Sequence, residues 1–168
     1  MLNSIRALTI DLDDTLWDVA PVIRRAEEKL GEWLTARYPR IPQRFKPADM
    51  LTLRQKIVSA NPEQAHDFRF LRRAVMREMA LAVGYAETLA DEAFEVFDRH
   101  RNEVEFFEDV LPALERLHPR YRLVAVTNGN ADLHRIGVGH LFHGIVTAVS
   151  AGAAKPHPQI FAQAMQYA

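Results

Sequence analysis

Two textures alternate along the 168-residue chain. Residues 5–10, Ile-Arg-Ala-Leu-Thr-Ile, are a short, mostly apolar run of the kind that forms a buried strand. From Asp18 the apolar residues recur at helical spacing. Val22, Ile23, Ala26, Leu30, Trp33 and Leu34 predict a first helix, with Asp18 as its cap, Pro21 in its first turn and an end near Tyr38, ahead of Pro39. Residues 40–47 hold two prolines and read as a loop, and 48–59 as a weaker helix. Asn61-Pro62 breaks that helix and is expected to open the next, with Asn61 as cap. There Phe68, Leu71, Val75, Met79 and Ala82 share a stripe, four arginines are interleaved, and Gly84 ends the run. A fourth helix is expected over 88–103, its apolar stripe formed by Leu89, Ala93, Val96, Phe97 and His100.

Strand texture then returns at 122–126 (Arg-Leu-Val-Ala-Val) and at 144–149. Helices are expected around these runs at 109–118, 131–136 and from Pro158 onward. The pattern is an α/β fold with a parallel, Rossmann-like sheet, interrupted once after its first strand by an all-helical insertion. Residues 1–17 and 106–168 are expected to form the core, and 18–105 a four-helix insertion.

The polar residues that follow the strands supply the chemistry. The first run ends in Asp11, Asp13 and Asp14. Buried unpaired carboxylates are costly, so such a cluster suits the carboxyl end of a central strand, facing a metal and an anion. Asp11 and Asp13 point the same way on an extended chain, with Leu12 turned to the opposite face. The second run ends in Thr127-Asn128-Gly129, and the third leads to Lys155-Pro156. Parallel strands side by side bring these ends together. Each stretch also has an ordinary reading: a solvated acidic turn, a common turn sequence and a solvated lysine.

Together they suit phosphoryl chemistry. One carboxylate attacks phosphorus, and a second protonates the leaving oxygen and later activates water. Mg²⁺ suits such hard oxygen donors, while a hydroxyl, backbone amides and an ammonium stabilise the equatorial oxygens.

Composition narrows the field further. Cysteine is absent, which excludes a disulfide framework and thiolate-bound zinc. The net charge of −1 gives no reason to expect nucleic-acid binding. No apolar run reaches the ~20 residues that span a bilayer, and no signal-peptide pattern is present, so a cytoplasmic protein without a membrane partner is expected. The seven histidines are unclustered. The charge is uneven: residues 24–77 carry 13 Lys/Arg against 6 Asp/Glu, and 78–115 carry 2 against 11. Either the two stretches pair with each other, or the basic one attracts an anionic substrate.

Asp11-Leu-Asp-Asp-Thr-Leu, Thr127-Asn128 and Lys155-Pro156, in this order and each after a strand, resemble the first three motifs of the haloacid dehalogenase superfamily. The helical insertion resembles that family's type 1 cap. The resemblance implies that Asp11 is the nucleophile and Asp13 the general acid/base. It also implies that Thr127 and Asn128 bind the phosphoryl group, and that Lys155 orients Asp11, offsets its charge and contacts the phosphate. Asp11 and the backbone carbonyl of Asp13 would hold Mg²⁺. The dehalogenases resemble this chain but lack a carboxylate at the position of Asp13, so the implied substrate is a small phosphorylated metabolite. Asp-Leu-Asp-Asp-Thr-Leu-Trp-Asp and Val-Thr-Asn-Gly-Asn-Ala further resemble a bacterial branch acting on flavin mononucleotide and on the phosphorylated pyrimidine of riboflavin synthesis.

A 2-haloacid dehalogenase, a phosphosugar mutase and a non-catalytic phosphate-binding domain are the alternatives. The family's fourth motif, an acidic pair after a fourth strand, has no counterpart after Lys155. The expectation is therefore a fragment of a longer protein, its first strand left as a sheet edge, or a short protein whose edge is covered by a partner. Composition does not fix the oligomeric state.

Overall fold

Three short apolar runs become strands because each is β-branched or apolar enough to be sandwiched between helices. In the computed structural model, which describes residues 5–168, these are β1 (Ala7–Ile10), β2 (Arg122–Thr127) and β3 (Gly144–Thr147). They form one parallel sheet in the order β1-β2-β3. Ala7 to Ile10 pair with Arg122 to Ala125, and Val124 to Thr127 with Gly144 to Thr147. β2 is the central strand, buried at every position after Arg122. β1 has no strand on its other side among the described residues, and it is only partly buried, with Thr9 exposed. Its expected burial is thus incomplete, and Ile5, ahead of it, is exposed.

The chain divides into two compact units. One takes in the chain up to Ala20 together with Asn102–Ala168, and the other is Pro21–Arg101. The second is all helical. It contains most of α1 (Val19–Arg37), then α2 (Arg40–Arg44), α3 (Pro47–Ala60), a 3₁₀ turn at Pro62–Gln64, α4 (Phe68–Ala82) and α5 (Leu89–Arg101). Leu30, Leu34, Ile41, Leu71, Met79 and Phe97 lie in its core.

Three local expectations are corrected here. The expected loop at 40–47 contains a one-turn helix, α2, which buries Ile41. Its Pro42 falls in the first turn, where a missing N–H costs little. Asn61-Pro62 opens a 3₁₀ turn and not α4, whose cap is Asp67, accepting from the N–H groups of Arg69 and Phe70 at 2.9 Å each. In α5 the buried stripe is rotated from the expected one: Phe94 and Asp98 are buried, while Val96 and His100 are half-buried.

Part of the uneven charge pairs within this unit. Arg72 meets Glu27 at 2.8 Å, Arg73 meets Asp91 at 3.0 Å, Arg77 meets Glu87 at 3.5 Å and Arg69 meets Asp98 at 3.8 Å. The order of these pairs shows α4 and α5 running antiparallel. Arg72 also lies over the Phe97 ring at 3.4 Å and Arg73 over Phe94 at 4.0 Å. The arginines of α4 are therefore neighbours of acids and aromatic faces of their own unit.

In the first unit, α6 (Val110–Leu117), α7 (Leu133–Ile136), α8 (Ala148–Ala151) and α9 (Pro158–Ala164) accompany the sheet. Val124, Val126, Val146, Ala151, Ile160 and Ala164 form a core to which Tyr167 adds its ring. That ring lies so close to Gly144 that a β-carbon there would collide with it. β3 stops at Thr147, short of the expected Val149. Thr147 and Ser150 exchange side-chain hydrogen bonds at 3.0 Å in a capping box, which turns the continuing apolar run into α8. α9 likewise ends at Ala164, followed by a 3₁₀ turn at Met165–Tyr167.

Candidate active site

The segment after β1 keeps the alternation of an extended chain for two more residues. Leu12 is fully buried, while Asp11 and Asp13 on either side of it are half-buried. The chain then turns back sharply. Asp14 adopts φ of +60°, a left-handed conformation that Asp tolerates better than most residues, and its N–H donates to the Trp17 carbonyl at 2.9 Å. Asp14 also accepts from the Val19 N–H at 3.0 Å, tying the turn to the start of α1. The reversal returns Trp17 to Asp13, where its indole N–H donates to Asp13 Oδ1 at 2.9 Å. Trp17 is fully buried and packs edge-on against Phe106 at 5.6 Å. A buried indole N–H needs an acceptor, and here that need fixes the second carboxylate.

Asp11 is fixed from two directions. Its Oδ1 accepts from the Leu12 N–H at 2.8 Å and lies 2.6 Å from Lys155 Nζ. Lys155 is itself held firmly. Its ammonium donates to the Val126 carbonyl at 2.9 Å. Its backbone is clasped by the Asn128 side chain, which accepts from Lys155 N–H at 2.6 Å and donates to the Lys155 carbonyl at 3.1 Å. The Lys155–Pro156 peptide is cis. Thr127, 1 % exposed, accepts from the Gly129 N–H through Oγ1 at 2.9 Å, which leaves its hydroxyl hydrogen to donate elsewhere.

The three stretches singled out in the sequence thus meet at the carboxyl ends of β1 and β2. Asp11 and Lys155 form the central ion pair, and Asn128 joins β2 to the segment that carries Lys155. Two participants carry no signature in the motifs: the Trp17 indole and the Val126 carbonyl. The indole could have been suspected, since a tryptophan directly after an acidic cluster brings a donor to it. A main-chain carbonyl leaves no trace in a sequence.

Asp11 remains 44 % exposed in its side chain, so its carboxylate is accessible to a ligand. No group of three His, Cys, Asp or Glu side chains suited to a metal occurs among the described residues. Mg²⁺ commonly takes one or two carboxylates and completes its shell with carbonyl, water and phosphate oxygens, so the Asp11 carboxylate with the Asp13 backbone carbonyl fits that ion's chemistry.

A parallel α/β sheet with an aspartate pair after its first strand and a lysine ion-paired to the first of them defines a class. Residues 5–167 match the haloacid dehalogenase-like hydrolases, and the chain belongs to that family. It is a hydrolase. It is 33% identical over 165 residues to the 5-amino-6-(5-phospho-D-ribitylamino)uracil phosphatase YigB of Escherichia coli, an overlap of 95% of this chain and 68% of that protein. A 64-residue stretch, 34% of this chain, is 39% identical to part of the glyceraldehyde 3-phosphate phosphatase of Methanopyrus kandleri and spans 28% of it. Among solved structures, a 2-haloacid dehalogenase from Pseudomonas syringae pv. Tomato superposes with a TM-score of 0.93 at 36% identity, covering 97% of this chain and 72% of that one. An HAD phosphatase from Thermococcus onnurineus shares the fold at a TM-score of 0.57 and 21% identity, over 97% of this chain and 71% of its own. No helix among the described residues is long and apolar enough to cross a membrane.

Proposed function

We propose that this hydrolase is a Mg²⁺-dependent phosphatase of a small phosphorylated metabolite, working through a phosphorylated Asp11. The observation that carries the reading is Asp13, a second carboxylate two residues beyond Asp11 and fixed by the Trp17 indole. An alkoxide leaving group needs a proton, whereas a departing halide does not, so a positioned acid beside the nucleophile serves the first step of a phosphatase and has no such use in the first step of a dehalogenase.

In this reading the Asp11 carboxylate attacks phosphorus as the ester P–O bond breaks, and Asp13 gives its proton to the leaving oxygen. Asp13 then takes a proton from water, which attacks the acyl phosphate, releasing phosphate and restoring Asp11. Lys155 holds Asp11 in one rotamer and offsets the charge of carboxylate and phosphate. Thr127 donates its hydroxyl to a phosphoryl oxygen. Asn128, its side chain engaged on the Lys155 backbone, positions that lysine, and its own backbone N–H is its contribution to phosphate binding. The Asp11 carboxylate and the backbone carbonyl of Asp13 would hold Mg²⁺, which when bound screens the phosphoryl charge from the two acids. By its resemblance to the family's type 1 cap, the helical insertion is the part to which selection of the organic part of the substrate is assigned in this proposal.

The similarity to YigB over 95% of the chain supports 5-amino-6-(5-phospho-D-ribitylamino)uracil as substrate, with flavin mononucleotide as the chemically related choice. A second reading, 2-haloacid hydrolysis, is favoured by the similarity to the Pseudomonas syringae dehalogenase. Parallel assays separate the two. Phosphate release from the ribitylamino-uracil phosphate and from p-nitrophenyl phosphate, abolished by EDTA and by Asp11→Asn, is the expected result. Halide release from 2-chloropropionate with no phosphate release from either ester would overturn the phosphatase reading.

A further inference from the structure

At the other end of β2 from Thr127, two histidines distant in sequence stack face to face. The rings of His118, just after α6, and His143, just before β3, lie 5.0 Å apart with 30° between their planes. Their hydrogen bonds differ in kind. His118 Nδ1 lies 2.9 Å from the Leu141 carbonyl. A carbonyl only accepts, so this nitrogen carries a proton, and the bond survives if the other nitrogen gains one. His143 Nδ1 lies 3.1 Å from the Leu123 N–H. A backbone N–H only donates, so this nitrogen must be unprotonated. The His143 backbone N–H in turn donates to the Leu123 carbonyl at 2.7 Å. One residue therefore clasps both main-chain groups of a fully buried strand residue.

We infer that His143 is a proton-sensitive clasp on the entry end of the sheet: neutral, it closes β2 onto the start of β3, and protonated, it releases the Leu123 N–H. Protonation removes the acceptor from a buried amide, and it adds a cation beside the Arg122 guanidinium and the His118 ring. Those two are the titratable or charged groups that act on His143, one from β2 and one from the end of α6. Arg122 is held in place by donating Nε–H to the Tyr167 carbonyl at 2.6 Å. Loss of water around the ring, then Arg122, then His118, lower the His143 pKa from its ordinary 6.5. The neutral clasp therefore contributes fully above pH 6.5, and its contribution fades as the pH falls through 6.5 toward the lower folded-state value.

The test is an NMR titration of the whole chain from pH 8 to 5, following the His143 ring and the protection factor of the Leu123 amide, corrected for intrinsic exchange. Leu123 protection is expected to fall at least tenfold, with the same midpoint as the His143 ring and below 6.5. In His118→Leu that midpoint should move up, since one neighbouring ring is removed. In His143→Leu, Leu123 should be poorly protected at every pH. Leu123 protection that stays constant while the His143 ring titrates overturns the inference. The wild-type titration decides the matter even if a variant fails to fold.

Discussion

Charged side chains gather in two regions of this molecule, and their surroundings separate them. On α4 and α5 the arginines and carboxylates face one another laterally, in partly exposed pairs such as Arg77 with Glu87 and Arg73 with Asp91. Each has an acid or an aromatic face beside it, and none of these contacts fixes backbone. At the ends of β1 and β2 the pattern is reversed. Lys155 and Asp11 are anchored to main-chain groups, with Val126 and Leu12 as partners, and Asn128 clasps the Lys155 backbone on both sides. A charge placed by backbone is held in one geometry at little further entropic cost, which is what catalysis by positioning requires. A charge placed by another flexible side chain is mostly a solubility and packing feature.

The sharpest way to break this contrast is to remove the second acid. Asp13→Asn should lower kcat by on the order of 10²–10⁴-fold on phosphate esters, with the thermal midpoint little changed; equal loss on 2-haloacids and esters would point away from acid/base use. Lys155→Met should cost about 10²–10³-fold in kcat, the scale of one lost stabilising donor, as measured by p-nitrophenyl phosphate turnover. In the helical unit the large effects should come from packing. Phe97→Ala should destabilise by about 3–5 kcal/mol, seen by denaturant unfolding, since Phe97 is buried in the core beneath Arg72. The smallest effect belongs to the exposed pair: Arg77→Ala should change stability by less than about 1 kcal/mol and leave kcat/KM for a phosphate ester unchanged. A salt-sensitive rise in KM for Arg77→Ala would return the basic stretch to a substrate-steering role.

The order of elements was largely legible because buried strands and amphipathic helices impose different periods on apolar residues. The candidate site was legible for a second reason: acids at the end of an apolar strand make poor core, so Asp11 and Asp13 stand out against their neighbours. What stayed hidden depends on contacts between distant residues or on competing local signals. Trp17 reads as a large core residue unless its place just after the acids is weighed, and only the structure shows its indole on Asp13. Asn61-Pro62 is a stronger local helix-start signal than Asp67, yet the structure gives the cap to Asp67 and uses the proline for a 3₁₀ turn. The apolar run through Val149 gave no sign that Thr147 and Ser150 would cap each other and end the strand. The stacking of His118 on His143 arises only once α6 and β3 are packed beside β2.

Everything in the proposed reaction depends on Asp11 taking the phosphoryl group. The most direct measurement is rapid acid quench during turnover of 5-amino-6-(5-phospho-D-ribitylamino)uracil or p-nitrophenyl phosphate with Mg²⁺, followed by peptide mass spectrometry of the segment around residues 7–17. A base-labile phosphoryl adduct on Asp11 is expected, absent in Asp11→Asn and accumulating when Asp13→Asn slows its hydrolysis. Steady turnover with no adduct on Asp11 in either the wild type or Asp13→Asn would contradict it.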